Sequence, residues 1–241
     1  MDKTGEQQRK RSLSPLLRRL LRLKFWLVEH LRLSERQLTL IWAALIGVLG
    51  ALASEGFRRT SEILHHLATG SSAGIISSFV KLAWWQRLTV PTLGGLLAGL
   101  TLWFGNRLFA SVRQKTTTDY MEAIVVGSGI ISVRASIVKS VSALFSISTG
   151  ASIGREGPLV QLSSLVASLV GRIRKMPIPQ RRHLVACGAA AGIASAYKAP
   201  IAASLFVAEI ILGTVVVESL GPLILASVVA AFVSQDRKSV V

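Results

Sequence analysis

Residues 151–160 read ASIGREGPLV, a charged and glycine-rich stretch inside an apolar part of the chain. The segments on either side, SVSALFSISTG (140–150) and VQLSSLVASLVG (160–171), contain no charged residue. Ionised side chains at membrane depth cost several kcal/mol and persist mainly where they have a function or a partner. We therefore expect Arg155 and Glu156 to mark a functional site within a membrane domain.

The composition of the whole chain is that of a multi-pass membrane protein. Of its 241 residues 51% are hydrophobic, and 28 Lys and Arg against 12 Asp and Glu leave a net charge of +16. Ten of the basic residues precede residue 37, and most of the others lie in short connectors between apolar runs. This positive-inside pattern predicts a membrane protein with a cytoplasmic N-terminus. The same pattern argues against a nucleic-acid partner.

The N-terminal segment, residues 1–36, is predicted to be a separate basic and cytoplasmic region. Within it, residues 13–33 have the pattern of an amphipathic helix that lies on the membrane surface and contacts lipid. The alternative is a helix that packs on a partner subunit. The membrane domain is expected over 37–235, followed by a short tail over 236–241.

The apolar runs of the membrane domain differ in length. Runs 38–54 and 88–106 are long enough, with their flanks, to span the bilayer. Runs 140–154, 157–171 and 184–197 hold 14 or 15 residues each and predict helices of only about 22 Å. Short segments interrupted by Gly and Pro are typical of broken helices at transporter binding sites. A last span is predicted over 219–235, and no second set of broken helices follows it in the sequence.

The residue types of ASIGREGP favour an anion site at a helix start. Pro158 suits the first turn of a helix, and Gly154 and Gly157 allow positive φ and close backbone approach. Unpaired N–H groups and the positive dipole end would attract a small anion. The Glu156 carboxylate would compete with that anion and act as a gate. The alternative is an Arg155–Glu156 pair that only ties two helix ends together.

Two motifs together resemble the CLC family of chloride channels and transporters, in which voltage-gated channels occur. GREGP (154–158) is followed by ACGAAAGIASAYKAPIAASLFVAEI (186–210), which is similar to the family pattern G-A-A-A-G-x-A-A-A-F-N-A-P-L-A-G-x-L-F-x-x-E-E. The likeness extends over about residues 37–233. It implies an all-α membrane protein, a CLC-type transmembrane bundle with broken or re-entrant half-helices, and the first half of an inverted repeat.

The resemblance also implies function and site residues. It implies chloride transport, Glu156 as the gating glutamate, and an anion bound by Gly154, Arg155, Glu156, Gly157 and Pro158. It implies a homodimer with a separate pore in each subunit, no enzymatic activity, no cofactor and no metal. The late helices of this stretch would contribute to the dimer contact.

The family's earlier anion motif, G-S-G-I-P, has no direct counterpart here. GSGI occurs at 127–130, but it follows the short acidic segment Asp119–Ala123 instead of preceding it. We expect GSGI to form a turn, with a place in the pore lining as the alternative. The resemblance then puts Thr116 or Thr117 in the anion-binding position, as in a divergent bacterial branch of the family.

Further departures bear on mechanism. The E-E pair of the pattern is Glu209-Ile210 here, and isoleucine cannot relay a proton. A passive channel is therefore favoured over proton-coupled chloride exchange. Lys198 replaces the usual asparagine and either raises the local anion concentration or extends to the membrane interface. The family's second-half ligands do not occur in the sequence, so a non-conducting membrane scaffold is the third hypothesis.

The remaining polar residues give no pattern typical of an enzyme or a metal site. Cys187 is the single cysteine and is expected to be buried among small residues. His65, His66 and His183 lie near the predicted span ends and are expected at the membrane interface. No nucleophile–histidine–acid combination stands out.

Overall fold

A computed structural model describes residues 35–70, 78, 80, 82–108, 119–211, 213 and 217–235. The predicted amphipathic helix over 13–33, the tail over 236–241, Thr116 and Thr117 lie outside these residues. The described part is built from helices and turns, and belongs almost wholly to one compact unit, Thr39–Val241. The helices are α1 Glu35–Thr69, α2 Trp84–Leu108, α3 Tyr120–Val125, α4 Val133–Ser148, α5 Glu156–Ile173, α6 Ile178–Tyr197, α7 Pro200–Phe206 with a π-helical continuation Val207–Ile211, and α8 Val217–Gln235.

Two helices contain the predicted early spans. Within the described residues, Gln37–Thr69 and Trp84–Leu108 are long and apolar enough to cross a membrane, by length and composition. Helix α1 continues well beyond the uncharged run, which ends at residue 54. It can do so because Glu55 pairs with Arg58 at 2.7 Å and with Arg59 at 3.0 Å on the same helix. Charge compensation within one helix lowers the cost of continuing past a charged residue.

Helices α5 and α6 are longer than the uncharged runs suggested. They contain 18 and 20 residues, which correspond to about 27 and 30 Å rather than the expected 22 Å. The prediction of such short segments was wrong because both helices extend into polar and charged residues at their connector. The predicted interruptions are nevertheless present, since residues 149–155 separate α4 from α5 and Lys198-Ala199 separate α6 from α7.

Helices α5 and α6 form a closely packed antiparallel pair at the centre of the fold. A Cβ added at Gly188 would lie 2.7 Å from the Ser163 carbonyl oxygen, and one at Gly192 would lie 2.8 Å from Val160 Cα. The two backbones therefore approach more closely than larger residues permit. Cys187 lies beside Gly188 in the buried core and is 1% exposed, which confirms its expected burial.

Helix α1 packs along the α5–α6 pair. The Ser54 hydroxyl lies 3.2 Å from the Ser163 hydroxyl, and Ser163 donates to the Gly50 carbonyl at 3.1 Å. Further along α1, Phe57 packs with Leu159 and with Ile147 of α4. The start of α5 is therefore enclosed on one side by α1 and α4.

The GSGI segment forms a turn after α3, as expected. Gly129 has a φ of +70°, in the region that favours glycine. Arg181 donates to the Ser128 carbonyl at 2.6 Å, and Arg182 to the Gly127 carbonyl at 2.6 Å. A Cβ added at Gly171, near the end of α5, would contact Arg181. The turn therefore lies at the opposite end of α5 from Glu156, where Arg181 and Arg182 near the start of α6 hold it.

Candidate anion site

The loop before α5 begins with a tight helix ending. Gly150 has a φ of +93°, its N–H donates to the Ile147 carbonyl at 3.2 Å, and the Ala151 N–H donates to the Ser146 carbonyl at 3.0 Å. These bonds satisfy carbonyl groups that the end of α4 would otherwise leave unpaired. The chain then runs through irregular residues to the start of α5.

His65 supports this helix ending from α1. Its Nδ1 lies 2.8 Å from the Ser148 carbonyl, and because a carbonyl only accepts, Nδ1 carries the proton. The side chain is buried, with 6% exposed. The pairing with Ser148 compensates the burial of the ring. His66 on the next position is exposed.

The glycines of GREGP leave room for other groups because they lack a side chain, and their backbones do not have positive φ. Neither Gly154 nor Gly157 is among the glycines with a positive φ, so that part of the prediction was wrong. A Cβ added at Gly154 would instead collide with Oε2 of Glu156, whereas one at Gly157 would meet no atom within 4 Å. Gly154 thus makes room for the carboxylate, and Gly157 faces open space.

The start of α5 has no side-chain cap. Asp119 caps α3 by accepting from the Met121 N–H, and Ser132 caps α4 by accepting from the Ala135 N–H. Arg155, in the corresponding position of α5, makes no capping bond. The first N–H groups of a helix have no helical carbonyl to bind, and they carry the positive end of the dipole. This end of α5 therefore offers donors to a small anion.

Glu156 is half-buried at this helix start, and its carboxylate folds back over Gly154. Within residues 119–211, Arg155 and Glu156 form no ion pair with each other. The alternative in which this pair ties two helix ends together is therefore wrong. A charged side chain folded back over its own helix start benefits from the helix dipole.

Tyr197 lies at the Glu156 end of the α5–α6 pair, a placement that the sequence reasoning missed. It is the last residue of α6, and its side chain is 59% exposed. The order of the helices in the sequence could have predicted this placement of Tyr197. Because α5 and α6 are joined by a short connector and run antiparallel, the first residue of α5 and the last of α6 must lie at the same end.

Lys198 ends α6 in the left-handed conformation, with φ 57° and ψ 27°. Its Nζ donates to the Ser234 hydroxyl of α8 at 2.5 Å. The left-handed residue reverses the chain between α6 and α7, where the family pattern has asparagine, a residue that tolerates this conformation well.

Glu209 and Ile210 lie on the π-helical continuation of α7, Val207–Ile211. Both are exposed, and Ile210 is 60% exposed. Single π turns in an α-helix occur frequently at functional sites. Within the described ranges, no three His, Cys, Asp or Glu side chains group as metal ligands would.

Comparisons with known proteins agree on one family. The family described as "Voltage gated chloride channel" matches residues 94–238. A "Putative chloride channel protein ClcB-like" from Ralstonia nicotianae is 50% identical over 192 residues, which are 78% of this chain and 44% of the relative. A "Voltage-gated ClC-type chloride channel ClcB" from Escherichia coli is 42% identical over 196 residues, 81% of this chain and 46% of the relative.

Solved structures show the same fold. A "slow cyanobacterial Cl-/H+ antiporter" matches with a TM-score of 0.61 at 21% identity, over 81% of this chain and 46% of that one. A "CLC-type fluoride/proton antiporter" matches with a TM-score of 0.62 at 25% identity, over 83% of this chain and 47% of that one.

The helical architecture and the interrupted helices at GREGP and YKAP define an all-α protein with a CLC-type membrane fold. The chain belongs to the CLC, or voltage gated chloride channel, family. It spans about half the length of the curated relatives it matches.

Proposed function

We propose that this chain takes part in chloride transport across a membrane, through an anion site at the start of α5 that Glu156 gates. The observation that carries the proposal is the uncapped start of α5 with the Glu156 carboxylate folded over it. The names of the relatives as chloride channels support the choice of anion.

In the proposed mechanism, chloride and the Glu156 carboxylate compete for the same backbone N–H groups at the start of α5. The backbone N–H groups around Gly154, Arg155, Glu156 and Gly157 supply partial positive charge, which binds a weakly hydrated anion without holding it permanently. Pro158 fixes the first turn without requiring a partner for an N–H group. The ionised Glu156 carboxylate would compete with the anion for these donors. When the carboxylate moves away or takes up a proton, chloride can enter.

Other features of the site and the assembly are part of the same proposal. A hydroxyl of Thr116 or Thr117, outside the described residues, would donate to the anion from the segment before α3. The chain would lie in a bacterial inner membrane with its N-terminus in the cytoplasm, as a homodimer. The basic end of α5 and its connector to α6, with Arg172, Arg174 and Lys175, support a cytoplasmic position for that end of the pair.

Chloride efflux from liposomes tests the function. The 241-residue chain is reconstituted with a potassium ionophore, and efflux is compared between the wild type and Glu156→Gln, which removes the charge and keeps the shape. We expect chloride efflux above that of empty liposomes, and faster efflux from Glu156→Gln. Equal efflux from both proteins would reject gating by Glu156. Efflux no faster than from empty liposomes would reject transport by this chain.

Proton-coupled chloride exchange is the second candidate, because a structural neighbour is described as a Cl-/H+ antiporter. Ile210 argues against it, since its side chain carries no titratable proton. Proton uptake recorded in the same liposomes separates the two functions. We expect chloride efflux without proton movement, and a fixed ratio of protons to chloride would support exchange instead.

A further inference from the structure

The end of the α5–α6 pair opposite Glu156 is a continuous surface formed by two segments. Residues 125–128, at the end of α3 and the start of the GSGI turn, lie against residues 172–182, which include the end of α5, the connector and the start of α6. The Arg182 guanidinium donates to the Val126 carbonyl at 3.1 Å and to the Gly127 carbonyl at 2.6 Å. The two segments together are termed the connector surface.

The connector surface carries an excess of positive charge. Residues 172–182 contain five Arg and Lys and no Asp or Glu. Arg172 and Lys175 are exposed, and within the described residues their side chains form no hydrogen bond or ion pair. Asp119 and Glu122, beside and within α3, are exposed too, but they offset fewer than half of these positive charges. Exposed basic groups at the end of a membrane bundle attract the anionic groups of the bilayer surface.

Large apolar side chains are exposed among these charges. Val125 is 56% exposed and Val126 is 78% exposed, while Ile173 is 75% and Ile178 is 50% exposed. Apolar groups interleaved with basic ones are typical of a surface at the boundary between lipid headgroups and acyl chains. A nucleic acid or another soluble polyanion would neutralise the charges but would leave these side chains in water, where burial of apolar area is not gained.

Two tryptophans at this end of the bundle stack with arginines. The Arg174 guanidinium lies 4.8 Å from the centre of the Trp42 ring on α1, and the Arg107 guanidinium lies 5.3 Å from the Trp103 ring on α2. The second pair is at the same end because the last turn of α2 packs near the start of α4. Tryptophan is enriched at membrane–water interfaces, so both pairs indicate that this end lies at the level of the headgroups.

We propose that the connector surface binds anionic phospholipid. Arg172 and Lys175 bind the headgroup phosphate, and Ile173 and Ile178 contact the first part of the acyl chains. A second copy of the chain and the N-terminal segment, residues 1–36, are themselves positively charged, so neither complements this surface. The inference goes beyond anion transport: it requires that the chain lies in a membrane, and it holds whether or not the start of α5 passes chloride.

Photocrosslinking tests the proposal at the surface itself. The 241-residue chain is reconstituted into phosphatidylcholine vesicles that contain a trace of photoactivatable phosphatidylglycerol or of photoactivatable phosphatidylcholine, both with the same reactive acyl chain. Crosslinks are located by mass spectrometry, and the ratio of the two lipids is determined for the peptide that contains residues 172–180. The exposed, uncharged face of α2 around Leu96 and Leu97 is the internal reference for contact with lipid of either kind.

We expect a preference for phosphatidylglycerol on the connector surface and no preference around Leu96. Arg172→Gln and Lys175→Gln should each lower the preference about fivefold, which is the effect of one Lys or Arg near an anionic membrane surface. Both side chains are exposed, so neither substitution disturbs the packing of the helices. Equal crosslinking of the two lipids to the connector surface of the wild type would overturn the proposal.

Arg59→Gln is the matched control. It also removes one exposed positive charge, but on the part of α1 near the start of α5, and it leaves Glu55 paired with Arg58. We expect it to keep the wild-type ratio, and an equal loss of preference in this variant would overturn the proposal. In a separate arm, glycerophosphoglycerol supplies the same headgroup without acyl chains. We expect it to leave the crosslinking unchanged, whereas displacement of the lipid would indicate a site for free phosphate esters and would also overturn the proposal.

Discussion

Glu156 combines two properties that bear on the proposed anion site. It is an acidic residue in an apolar part of the sequence, and it is the first residue of a helix that no side chain caps. The helix start attracts negative charge and the carboxylate supplies it. In the proposed function, a group of its own chain therefore occupies the site when no anion is bound. Neighbouring residues determine how firmly that group is held.

Gly154 determines whether the carboxylate can occupy this position. In Gly154→Ala the added Cβ would collide with Oε2 of Glu156, and the side chain must leave its rotamer at a cost of about 0.5–1.5 kcal/mol. We expect chloride affinity, measured by titration calorimetry, to rise about two- to tenfold. Gly95→Ala adds a Cβ where no atom lies within 4 Å and is the control. An affinity that falls in Gly154→Ala would contradict the competition between carboxylate and chloride.

His65 stabilises the end of α4, from which the loop to Glu156 begins. His65→Ala leaves the buried Ser148 carbonyl without this donor and is expected to lower the free energy of unfolding by about 1–3 kcal/mol. His66→Ala, on the exposed face of the same helix turn, is expected to change it by less than about 0.5 kcal/mol. Unfolding in mixed detergent micelles measures both. Equal effects of the two substitutions would contradict the bracing role of His65.

At the scale of the element, the α5–α6 pair depends on glycine at its contact points. Gly188→Ala adds a Cβ 2.7 Å from the Ser163 carbonyl oxygen and 3.0 Å from Ser164 Cα. Because backbone atoms cannot move aside cheaply, we expect destabilisation of about 1–3 kcal/mol. Gly95→Ala, on an exposed face of α2, should be neutral or stabilise by up to about 1 kcal/mol. The same micelle unfolding experiment compares them, and a neutral Gly188→Ala would show that the helices can separate at no cost.

Predictions from the sequence were most accurate where a feature depends on a few neighbouring residues. GREGP predicted the interrupted helix and the residue at its start, and GSGI was correctly placed in a turn after the short acidic helix. Family membership also followed from the two motifs together. Uncharged runs were a poor guide to helix length, because ion pairs within α1 and polar ends on α5 and α6 let helices continue through charged residues.

Contacts between distant segments could not be predicted in this way. The pairing of His65 with Ser148 joins residues 83 positions apart. No motif near either residue predicts this contact. The position of Tyr197 could have been predicted in principle, since the antiparallel order of α5 and α6 brings it to the Glu156 end of the pair. Recognising this required the packing register, which depends on Gly188 and Gly192 approaching particular residues of α5.

For the whole molecule, the distribution of charge predicts how the protein is oriented in the membrane. The connector between α5 and α6 is basic and exposed, so we expect it to face the cytoplasm. In Gln180→Cys, a membrane-impermeant maleimide should label the new cysteine in inside-out vesicles and not in right-side-out vesicles. The wild type is the control, because its single cysteine, Cys187, is 1% exposed and should remain unlabelled in both. Labelling only in right-side-out vesicles would reverse the proposed orientation.

The central claim is that one site at the start of α5 binds either chloride or the Glu156 carboxylate. Equilibrium chloride binding to the purified chain, wild type against Glu156→Gln, tests it most directly. Two unit charges 4 Å apart repel by about 4 kcal/mol at an effective dielectric constant of 20. We therefore predict that Glu156→Gln binds chloride at least about tenfold more tightly, a difference of about 1.4 kcal/mol. Equal affinities, or no chloride binding by either protein, would contradict the claim.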